Sequence, residues 1–263
     1  MLDWEFIGQL FLKIIIIYGL ITVLVYFTAD FAMYPVPKAS YRDTAQILKL
    51  STSDGRKISA VYLENPNAKY TVLFSHGNGE DLGFLMPFLQ SYREHGFSIL
   101  AYDYHGYGTS EGRPSEKNTY LDIAAAYDYL TTQLKVAPHH IILHGRSLGS
   151  GPSLELASLF PVSGIILESP FLTAFRVVTK IPLFPIDKYR NNQKITRVKA
   201  PILVIHGMKD EVIPFWQGKK LYEMANEPKQ FLPLENAGHN DITEVSGNLY
   251  WQAIEQFSKT LKE

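Results

Sequence analysis

Short apolar runs alternate with helix-like segments along most of the sequence, and this alternation limits the possible folds more than any other feature. Runs such as YTVLFS, FSILAYDY, HIILH, GIILES and PILVIHG have the length and composition of strands that are covered on both faces. Segments with helical spacing, such as LGFLMPFLQSYREHG and TYLDIAAAYDYLTTQL, separate them. This order predicts an α/β domain with a mostly parallel central sheet and helices on both faces. The length of 263 residues is enough for one large domain of this class.

Both ends of the alternating region add detail. AQILKLSTSDGRKISAVYLE reads as two strands joined at Asp54-Gly55, a dipeptide typical of hairpin turns, so we expect the sheet to begin with an antiparallel hairpin. Near the other end, a helix in WQGKKLYEMA, a strand in KQFLPL and a last helix from about Asn248 to Leu261 continue the pattern.

The N-terminal segment Phe6 to Thr28, FIGQLFLKIIIIYGLITVLVYFT, is long enough to cross a bilayer, and only Gln9 and Lys13 in it are strongly polar. A cleaved signal peptide is the main alternative, but FTADFAMYP offers no small-residue cleavage pattern. A buried helix of a soluble domain fits less well, because the segment is apolar on all faces. We therefore expect residues 1–35 to form a single-pass membrane anchor and residues 36–263 to form the folded domain.

The charges around this segment leave the side of the membrane open. Asp3 and Glu5 precede it and Lys38 and Arg42 follow it, which by the positive-inside rule places the domain in the cytoplasm. If Lys13 instead begins a shorter span, the same rule places the domain on the other side.

Composition excludes several classes of function. The chain has no cysteine, which excludes disulfides, thiolate metal sites, a lipoprotein anchor and a cysteine nucleophile. Its net charge of −1 gives no support to nucleic-acid binding. No H-E-x-x-H or comparable cluster predicts a metal site, and nothing predicts a nucleotide cofactor. We expect the membrane and a small-molecule or lipid-linked acyl substrate as partners, and the oligomeric state stays open.

The pattern G-x-S-x-G, which can mark a catalytic serine, occurs twice, as GRSLG around Ser147 and as GTSEG around Ser110. The bare pattern is weak evidence in a chain with 18 glycines. Ser147 directly follows the strand HIILH and precedes a helix, which is the sharp turn that exposes a nucleophile. Ser110 lies well past its strand, in a loop. We therefore predict Ser147 as the nucleophile and Ser110 as a structural residue.

A nucleophilic serine needs a base and a group that orients this base, and in a strand–turn–helix setting they follow in the order acid, then histidine. Ser147, Asp210 and His239 come in this order in loops at strand ends, which predicts a catalytic triad. A cap of the following helix is the alternative role for Asp210.

Four other residues were weighed for the triad. Glu168 is the second choice for the acid, and Asp241 is expected to sit in the loop of His239 rather than behind its ring. Asp103 ends an earlier strand and precedes the serine, and His206 is expected to be a packed loop histidine.

Acyl transfer also requires two N–H donors for the developing oxyanion. Leu148, which follows the nucleophile, is predicted to supply one of them. Asn78, between two glycines in HGNGEDLG, is predicted to supply the other. A glycine turn that His76 and Asn78 merely cap is the alternative.

The motifs HGNGEDLG, YDYHGYGTSEG, GRSLGSG, HGMKDEVI and AGHND together resemble the α/β-hydrolase superfamily, over nearly everything after about Thr44. Within it they are similar to the α/β-hydrolase-domain proteins that include animal protein depalmitoylases, and to membrane-anchored hydrolases of fungi and bacteria. The resemblance implies Ser147, Asp210 and His239 as the triad and Asn78 with Leu148 as the oxyanion donors. The animal depalmitoylases attach to membranes through a cysteine-rich N-terminus that this chain lacks, so their substrate is not carried over.

A short apolar insert follows, PFLTAFRVVTKIPLFPIDKYRNN. Its part from about residue 171 to 192 occupies the usual place of a cap over the site. Its side chains either line an acyl pocket or pack against the domain itself. We expect a membrane-tethered serine hydrolase that cleaves carboxylic esters or thioesters of lipophilic acyl groups. A serine peptidase with the same triad and a catalytically idle interaction scaffold are the alternatives.

Overall fold

A computed structural model describes residues 4–262, so Asp3 and the outermost residues of the two expected segments lie outside the described part. An eight-stranded sheet forms the centre, with the strand order β1-β2-β4-β3-β5-β6-β7-β8. The strands are β1 Leu48–Ser51, β2 Lys57–Leu63, β3 Thr71–Ser75, β4 Ser98–Tyr102, β5 Ile141–Arg146, β6 Gly164–Glu168, β7 Ile202–Gly207 and β8 Lys229–Leu234. The strand β2 pairs antiparallel with β1 and β4, and every other pair is parallel. The predicted mostly parallel sheet with an antiparallel start is confirmed.

The hairpin between β1 and β2 turns at the predicted dipeptide. Gly55 has a φ of 84°, a left-handed conformation that glycine adopts without steric cost. The Thr52 N–H donates to the Arg56 carbonyl at 2.9 Å and closes the turn.

Helices cover both faces of the sheet, as predicted. They are α1 Trp4–Met33, α2 Leu82–Glu94, α3 Glu116–Asp128, α4 Ser150–Leu159, α5 Ala174–Thr179, α6 Asn191–Lys194, α7 Phe215–Met224, α8 Ile242–Ser246 and α9 Asn248–Thr260. Side chains of α3, α4 and α7 pack in one apolar cluster. Those of α2 and α9 pack in a second cluster, which takes the alternate residues of the same strands.

The third helix differs from the predicted segment TYLDIAAAYDYLTTQL at both ends. It begins earlier, at Glu116, because the Ser115 hydroxyl caps it by accepting the Asn118 N–H at 3.1 Å. The α-helical part ends at Asp128 and continues as a π-helical turn over Tyr129–Gln133.

The first helix, Trp4–Met33, is the one helix among residues 4–262 that is long and apolar enough to cross a membrane. Only 6% of its most apolar window is buried against the rest of the chain. The helix extends beyond the predicted segment and ends at Met33. The next residue, Tyr34, precedes Pro35, and a residue before proline disfavours the helical conformation. Tyr34 itself is buried in the domain, so no flexible linker separates the helix from the domain.

Candidate active site

Ser147 occupies the sharp turn between β5 and α4. Its φ is 50°, a left-handed conformation that a serine rarely adopts. The glycines of the motif make the turn possible because a Cβ at Gly145 would lie 2.4 Å from the Gly149 carbonyl oxygen. A Cβ at Gly149 would lie 2.0 Å from the Ser75 carbonyl oxygen. The glycine spacing is therefore a packing requirement of this turn.

The loops after β7 and β8 bring Asp210 and His239 to the same turn. The His239 Nε2 lies 3.0 Å from the Ser147 Oγ, and its Nδ1 lies 2.7 Å from the Asp210 Oδ2. Thus the structure places the three predicted triad residues in one hydrogen-bonded line. Such a line can transfer a proton from the hydroxyl to the imidazole while the carboxylate holds the ring.

Asp210 is held on both of its carboxylate oxygens. The Oδ1 accepts the N–H groups of Val212 at 2.9 Å and Ile213 at 2.7 Å, and the Oδ2 also accepts the Ser169 hydroxyl at 2.9 Å. Burial raises its pKa, but hydrogen bonds from His206, His239 and the backbone lower the pKa well below its usual range. The carboxylate is therefore ionised at neutral pH. It does not cap the following helix, whose N-cap residue is Pro214.

His206 is packed inside the domain, although it lies on β7 itself rather than in the loop after it. Its side chain is fully buried, and its Nε2 donates to the Ile213 carbonyl at 2.9 Å. The same Nε2 lies 3.4 Å from the Asp210 Oδ2, so the ring supports the carboxylate and has no contact with Ser147.

The alternative acids bond elsewhere. The Asp241 Oδ1 accepts the Gly238 N–H at 2.7 Å, within the loop that carries His239. The Asp103 Oδ1 accepts the Leu82 N–H at 3.0 Å, and burial raises the pKa of Asp103 to about 7. Glu168 pairs with Arg146. None of these three carboxylates is hydrogen-bonded to His239 among the described residues.

Ser110 is a structural residue of its loop. Its hydroxyl accepts the Ser59 N–H at 2.8 Å and donates to the Asp103 carbonyl at 2.9 Å. These two bonds fasten the loop to the antiparallel side of the sheet, and the hydroxyl proton is already donated to the Asp103 carbonyl. The second G-x-S-x-G is therefore a loop motif without triad partners.

The two predicted oxyanion donors both line the cavity that contains Ser147. Leu148 is the middle residue of the helical turn Ser147–Gly149. The Asn78 side chain is fixed, since its Oδ1 accepts the Tyr107 hydroxyl at 2.6 Å and its Nδ2 donates to the Met33 carbonyl at 2.5 Å. In the described part of the chain, no loop carbonyl accepts the Asn78 backbone N–H, which leaves this donor available to a ligand.

The cavity has a volume of about 670 Å³ and is mainly apolar beyond the triad. Its apolar lining comes from the end of α1, from α2, from the cap and from the loops after β7 and β8: Ala32, Met33, Phe84, Phe171, Ala174, Val177, Val178, Val212, Ile213 and Ile242. Of the predicted cap residues, Phe171 and Val178 line the cavity, whereas Phe175 and Phe184 pack edge to face against each other. Part of the cap thus lines the cavity, and another part packs against the protein itself.

Two features of the site have no counterpart in the sequence patterns: α1 forms part of the cavity wall, and three charged side chains meet beside Ser147. The Arg146 Nε donates to the Glu168 Oε1 at 2.8 Å, and its Nη1 donates to the Glu80 Oε1 at 3.2 Å. Burial raises the pKa of Glu168, but the Arg146 charge and hydrogen bonds from His144 and Tyr250 lower this pKa to about 2.

No group of three His, Asp or Glu side chains within residues 4–262 is arranged to hold a metal ion.

The sheet and the nucleophile turn define the class of protein, and comparisons with known proteins agree. A family described as "Serine aminopeptidase, S33" matches residues 66–185. Alpha/beta hydrolase domain-containing protein 17B of Xenopus tropicalis is 41% identical over 221 residues, which cover 82% of this chain and 76% of that protein. The Homo sapiens protein of the same name is 40% identical over the same shares.

Solved structures share the fold. The Pyrococcus furiosus esterase Pf2001 superposes with a TM-score of 0.73 at 18% identity, covering 88% of this chain and 98% of that one. Est1E from Butyrivibrio proteoclasticus, solved with ferulic acid bound, gives a TM-score of 0.67 at 17% identity, over 81% and 98% of the two chains. The protein is an α/β hydrolase. Within that superfamily it belongs to the family of the α/β hydrolase domain-containing proteins 17.

Proposed function

We propose that this protein is a membrane-anchored serine hydrolase that cleaves carboxylic ester or thioester bonds of lipophilic acyl substrates. The observation that carries the proposal is the line Ser147–His239–Asp210 at the wall of a mainly apolar cavity. Residues 1–35 serve as the anchor and residues 36–263 as the catalytic domain, with a short cap at about residues 171–192.

The proposed reaction follows from the atoms in this line. His239 Nε2 takes the proton of Ser147 Oγ while the oxygen attacks the acyl carbon, and the N–H groups of Asn78 and Leu148 stabilise the resulting oxyanion. The imidazolium then protonates the departing alcohol or thiol, which leaves an acyl group on Ser147. Water, deprotonated by the same imidazole, hydrolyses this acyl-enzyme. Asp210 keeps the proton on Nδ1, so that Nε2 is free to act as the base.

The contents of the cavity favour an acyl substrate over a peptide. The name of the matched family points to aminopeptidase activity, which calls for an acidic group that binds a free amino terminus. Glu80 and Glu168 line the cavity, but both are ion-paired with Arg146, so neither presents an unpaired carboxylate to an ammonium group. The remaining lining is mainly apolar, which suits a hydrocarbon chain. A catalytically idle scaffold has no need of a complete hydrogen-bonded triad.

Contacts of α1 support delivery of the substrate from the membrane. The Tyr18 hydroxyl donates to the Leu183 carbonyl at 2.6 Å, and Lys188 Nζ lies 2.8 Å from Asp30 Oδ1. Farther along, the Tyr34 and Tyr189 hydroxyls are 2.6 Å apart. The second half of α1 therefore lies against the cap and is a fixed part of the domain.

The length of the helix then sets the depth of the cap in the bilayer. A hydrocarbon core of about 30 Å takes about 20 helical residues, which, counted from Phe6 after the charged Glu5, extend to about Val25. Tyr18 lies seven residues before Val25, which places it about 10 Å inside that end of the hydrocarbon core at 1.5 Å of rise per residue. The Leu183 carbonyl, which accepts the Tyr18 hydroxyl, lies at the same depth. The side chains of Val178, Ile181 and Leu183 are 82%, 58% and 49% exposed, as a lipid-facing loop requires. Met33 of α1 and Val178 of the cap both line the cavity, so its wall includes residues from the two segments proposed to contact the bilayer.

A hydrolysis screen in detergent micelles tests the function. Esters, thioesters and amides of several chain lengths are compared, with Ser147→Ala as the blank and a fluorophosphonate probe as a measure of nucleophile reactivity. We expect hydrolysis of long-chain esters or thioesters, and probe labelling that Ser147→Ala abolishes. Preferential amide cleavage would favour the peptidase, and folded wild-type protein that neither hydrolyses nor labels would favour the scaffold.

A further inference from the structure

Glu80 links the two halves of the candidate oxyanion site. Its Oε2 accepts the backbone N–H of Gly77 at 2.6 Å, in the loop after β3 that carries Asn78. Its Oε1 accepts the Nη1 of Arg146 at 3.2 Å, and Arg146 directly precedes the nucleophile at the end of β5. One carboxylate thus joins the loops of two neighbouring strands, each of which carries one of the predicted N–H donors.

The bonds at Gly77 determine where the Asn78 N–H points. The Gly77 carbonyl belongs to the same planar peptide group as this N–H and points the opposite way. That carbonyl accepts the His76 Nδ1–H at 2.7 Å, while Glu80 holds the N–H on the other side of Gly77. Glycine rotates more freely about φ and ψ than any other residue, so these two bonds restrict the orientation of the peptide on the Gly77 side, while the side-chain bonds of Asn78 to Tyr107 and Met33 restrict the other side.

Arg146 makes a carboxylate at this position compatible with an anionic intermediate. A lone negative charge at Glu80, beside the predicted oxyanion site, would oppose the charge that develops there. The guanidinium of Arg146, which Glu80 shares with the nearly fully buried Glu168, reduces this opposition. The guanidinium is itself fixed, because its Nε donates to Glu168 and its Cζ lies 4.2 Å from the centre of the Phe88 ring. Glu80 therefore connects the loop to a rigid cation.

We propose that Glu80 is a positioning residue, which holds the loop of residues 76–79 in the geometry that directs the Asn78 N–H at the oxyanion; this rests on the proposed function. Glu80 acts through Gly77 and Arg146 and does not itself touch the acyl group. Its removal lowers the rate of the chemical step and leaves the apolar cavity that binds the acyl chain in place.

The first measurement compares Glu80→Ala and Glu80→Gln with the wild type in full-length protein in micelles. Loss of one oxyanion donor costs about 100- to 1,000-fold in kcat, so we expect a misdirected donor in Glu80→Ala to cost about 10- to 100-fold, with KM changed less than about twofold. The fluorophosphonate inactivation rate should fall by a similar factor, since the probe places an oxygen in the same site. Glu80→Gln keeps an acceptor for the Gly77 N–H and should recover most of the loss.

The second measurement does not depend on activity. Hydrogen exchange of the peptide that contains residues 76–79 should be faster in Glu80→Ala than in the wild type, and close to wild type in Glu80→Gln. The matched control is Glu111→Ala, because the Glu111 Oε2 also accepts a backbone N–H, that of Lys57 at 3.0 Å, but Glu111 does not line the cavity. It should change neither kcat nor exchange in residues 76–79.

Unchanged kcat or unchanged exchange of this peptide in Glu80→Ala would overturn the proposal. A raised KM at wild-type kcat would also overturn it, because Glu80 would then bind substrate. If Glu80→Ala fails to fold, Glu80→Leu with the same two measurements replaces it, because leucine fills the space without an acceptor. A wild-type protein that neither hydrolyses nor labels would refute the proposed function, whereas the exchange experiment would still decide whether Glu80 holds the loop.

Discussion

Asp210→Asn is the substitution whose result the structure specifies most closely. An asparagine offers one acceptor oxygen and one NH₂ group in place of two carboxylate oxygens. In the wild type the Asp210 Oδ1 accepts two backbone N–H groups, those of Val212 and Ile213, so the asparagine amide oxygen must occupy this position. The NH₂ group then faces His239 Nδ1, which lies 2.7 Å from the present Oδ2.

This orientation reverses the role of the imidazole. An NH₂ group at that position donates to Nδ1, which stabilises the tautomer that carries its proton on Nε2. His239 then has no free Nε2 lone pair to accept the Ser147 proton across the 3.0 Å contact. A wrong tautomer of this kind lowers kcat by about 10⁴-fold, which corresponds to about 5 kcal/mol of transition-state stabilisation. The fold should lose about 1–3 kcal/mol, because the Ser169 hydroxyl loses its acceptor whereas both backbone N–H groups keep theirs.

The assay is kcat for a chromogenic long-chain ester, together with the fluorophosphonate labelling rate and thermal unfolding in the same micelles. Asp241→Asn is the matched control, because its amide oxygen can still accept the Gly238 N–H and it does not touch the imidazole ring. We expect the control to stay within about threefold of wild type. A loss below about tenfold in folded Asp210→Asn would refute the role assigned to Asp210.

Three further predictions follow from other contacts. Ser110→Ala should keep full fluorophosphonate labelling but lower the free energy of unfolding by about 1–3 kcal/mol, since it removes the acceptor of the Ser59 N–H; loss of labelling would make Ser110 a rival nucleophile. The pKa of Glu168 is about 2 in the folded protein against an ordinary value of 4.5, so its contribution to stability is present above pH 4.5 and is lost as the pH falls from there towards 2. This contribution to the free energy of unfolding amounts to about 3 kcal/mol. The unfolding free energies of wild type and Glu168→Gln should converge as the pH falls over this interval, and a constant difference would contradict the lowered pKa of Glu168. The chain has no cysteine, so an environment-sensitive dye on Ile181→Cys can report on the cap alone in vesicles. Quenchers on the lipid tails should quench this dye but not one on Asn67→Cys, which precedes the opposite end of β3, and equal quenching would place the cap outside the bilayer.

Order along the chain was sufficient to select three residues that the structure brings into one hydrogen-bonded line. In a parallel sheet the loops at the carboxyl ends of strands meet at one edge, so Ser147, Asp210 and His239 could be selected without any knowledge of distances. Burial on both faces made the central strands visible as continuous apolar runs. Ser110 could be set aside for the same reason, since it does not directly follow a strand.

What the sequence could not provide depends on contacts between distant segments. Three charged residues belong to three different strands: Glu80 follows β3, Arg146 ends β5 and Glu168 ends β6. No pattern within one segment indicates that their side chains meet. The helix α5, with only six residues in Ala174–Thr179, is too short to give a periodic signal. The contact of Met33 with Asn78 joins the end of the apolar segment to the loop after β3, which hydropathy alone does not reveal.

The last turn of α1 closes one side of the cavity through Ala32 and Met33. Under the proposed function, attachment to the membrane and selectivity for substrate would therefore depend on the same atoms. A protease that sheds the domain by cutting after Met33 would open the pocket with the same cut, and the Asn78 amide would lose its acceptor. The soluble product would then be a different enzyme in its choice of acyl group, rather than the same enzyme in another place.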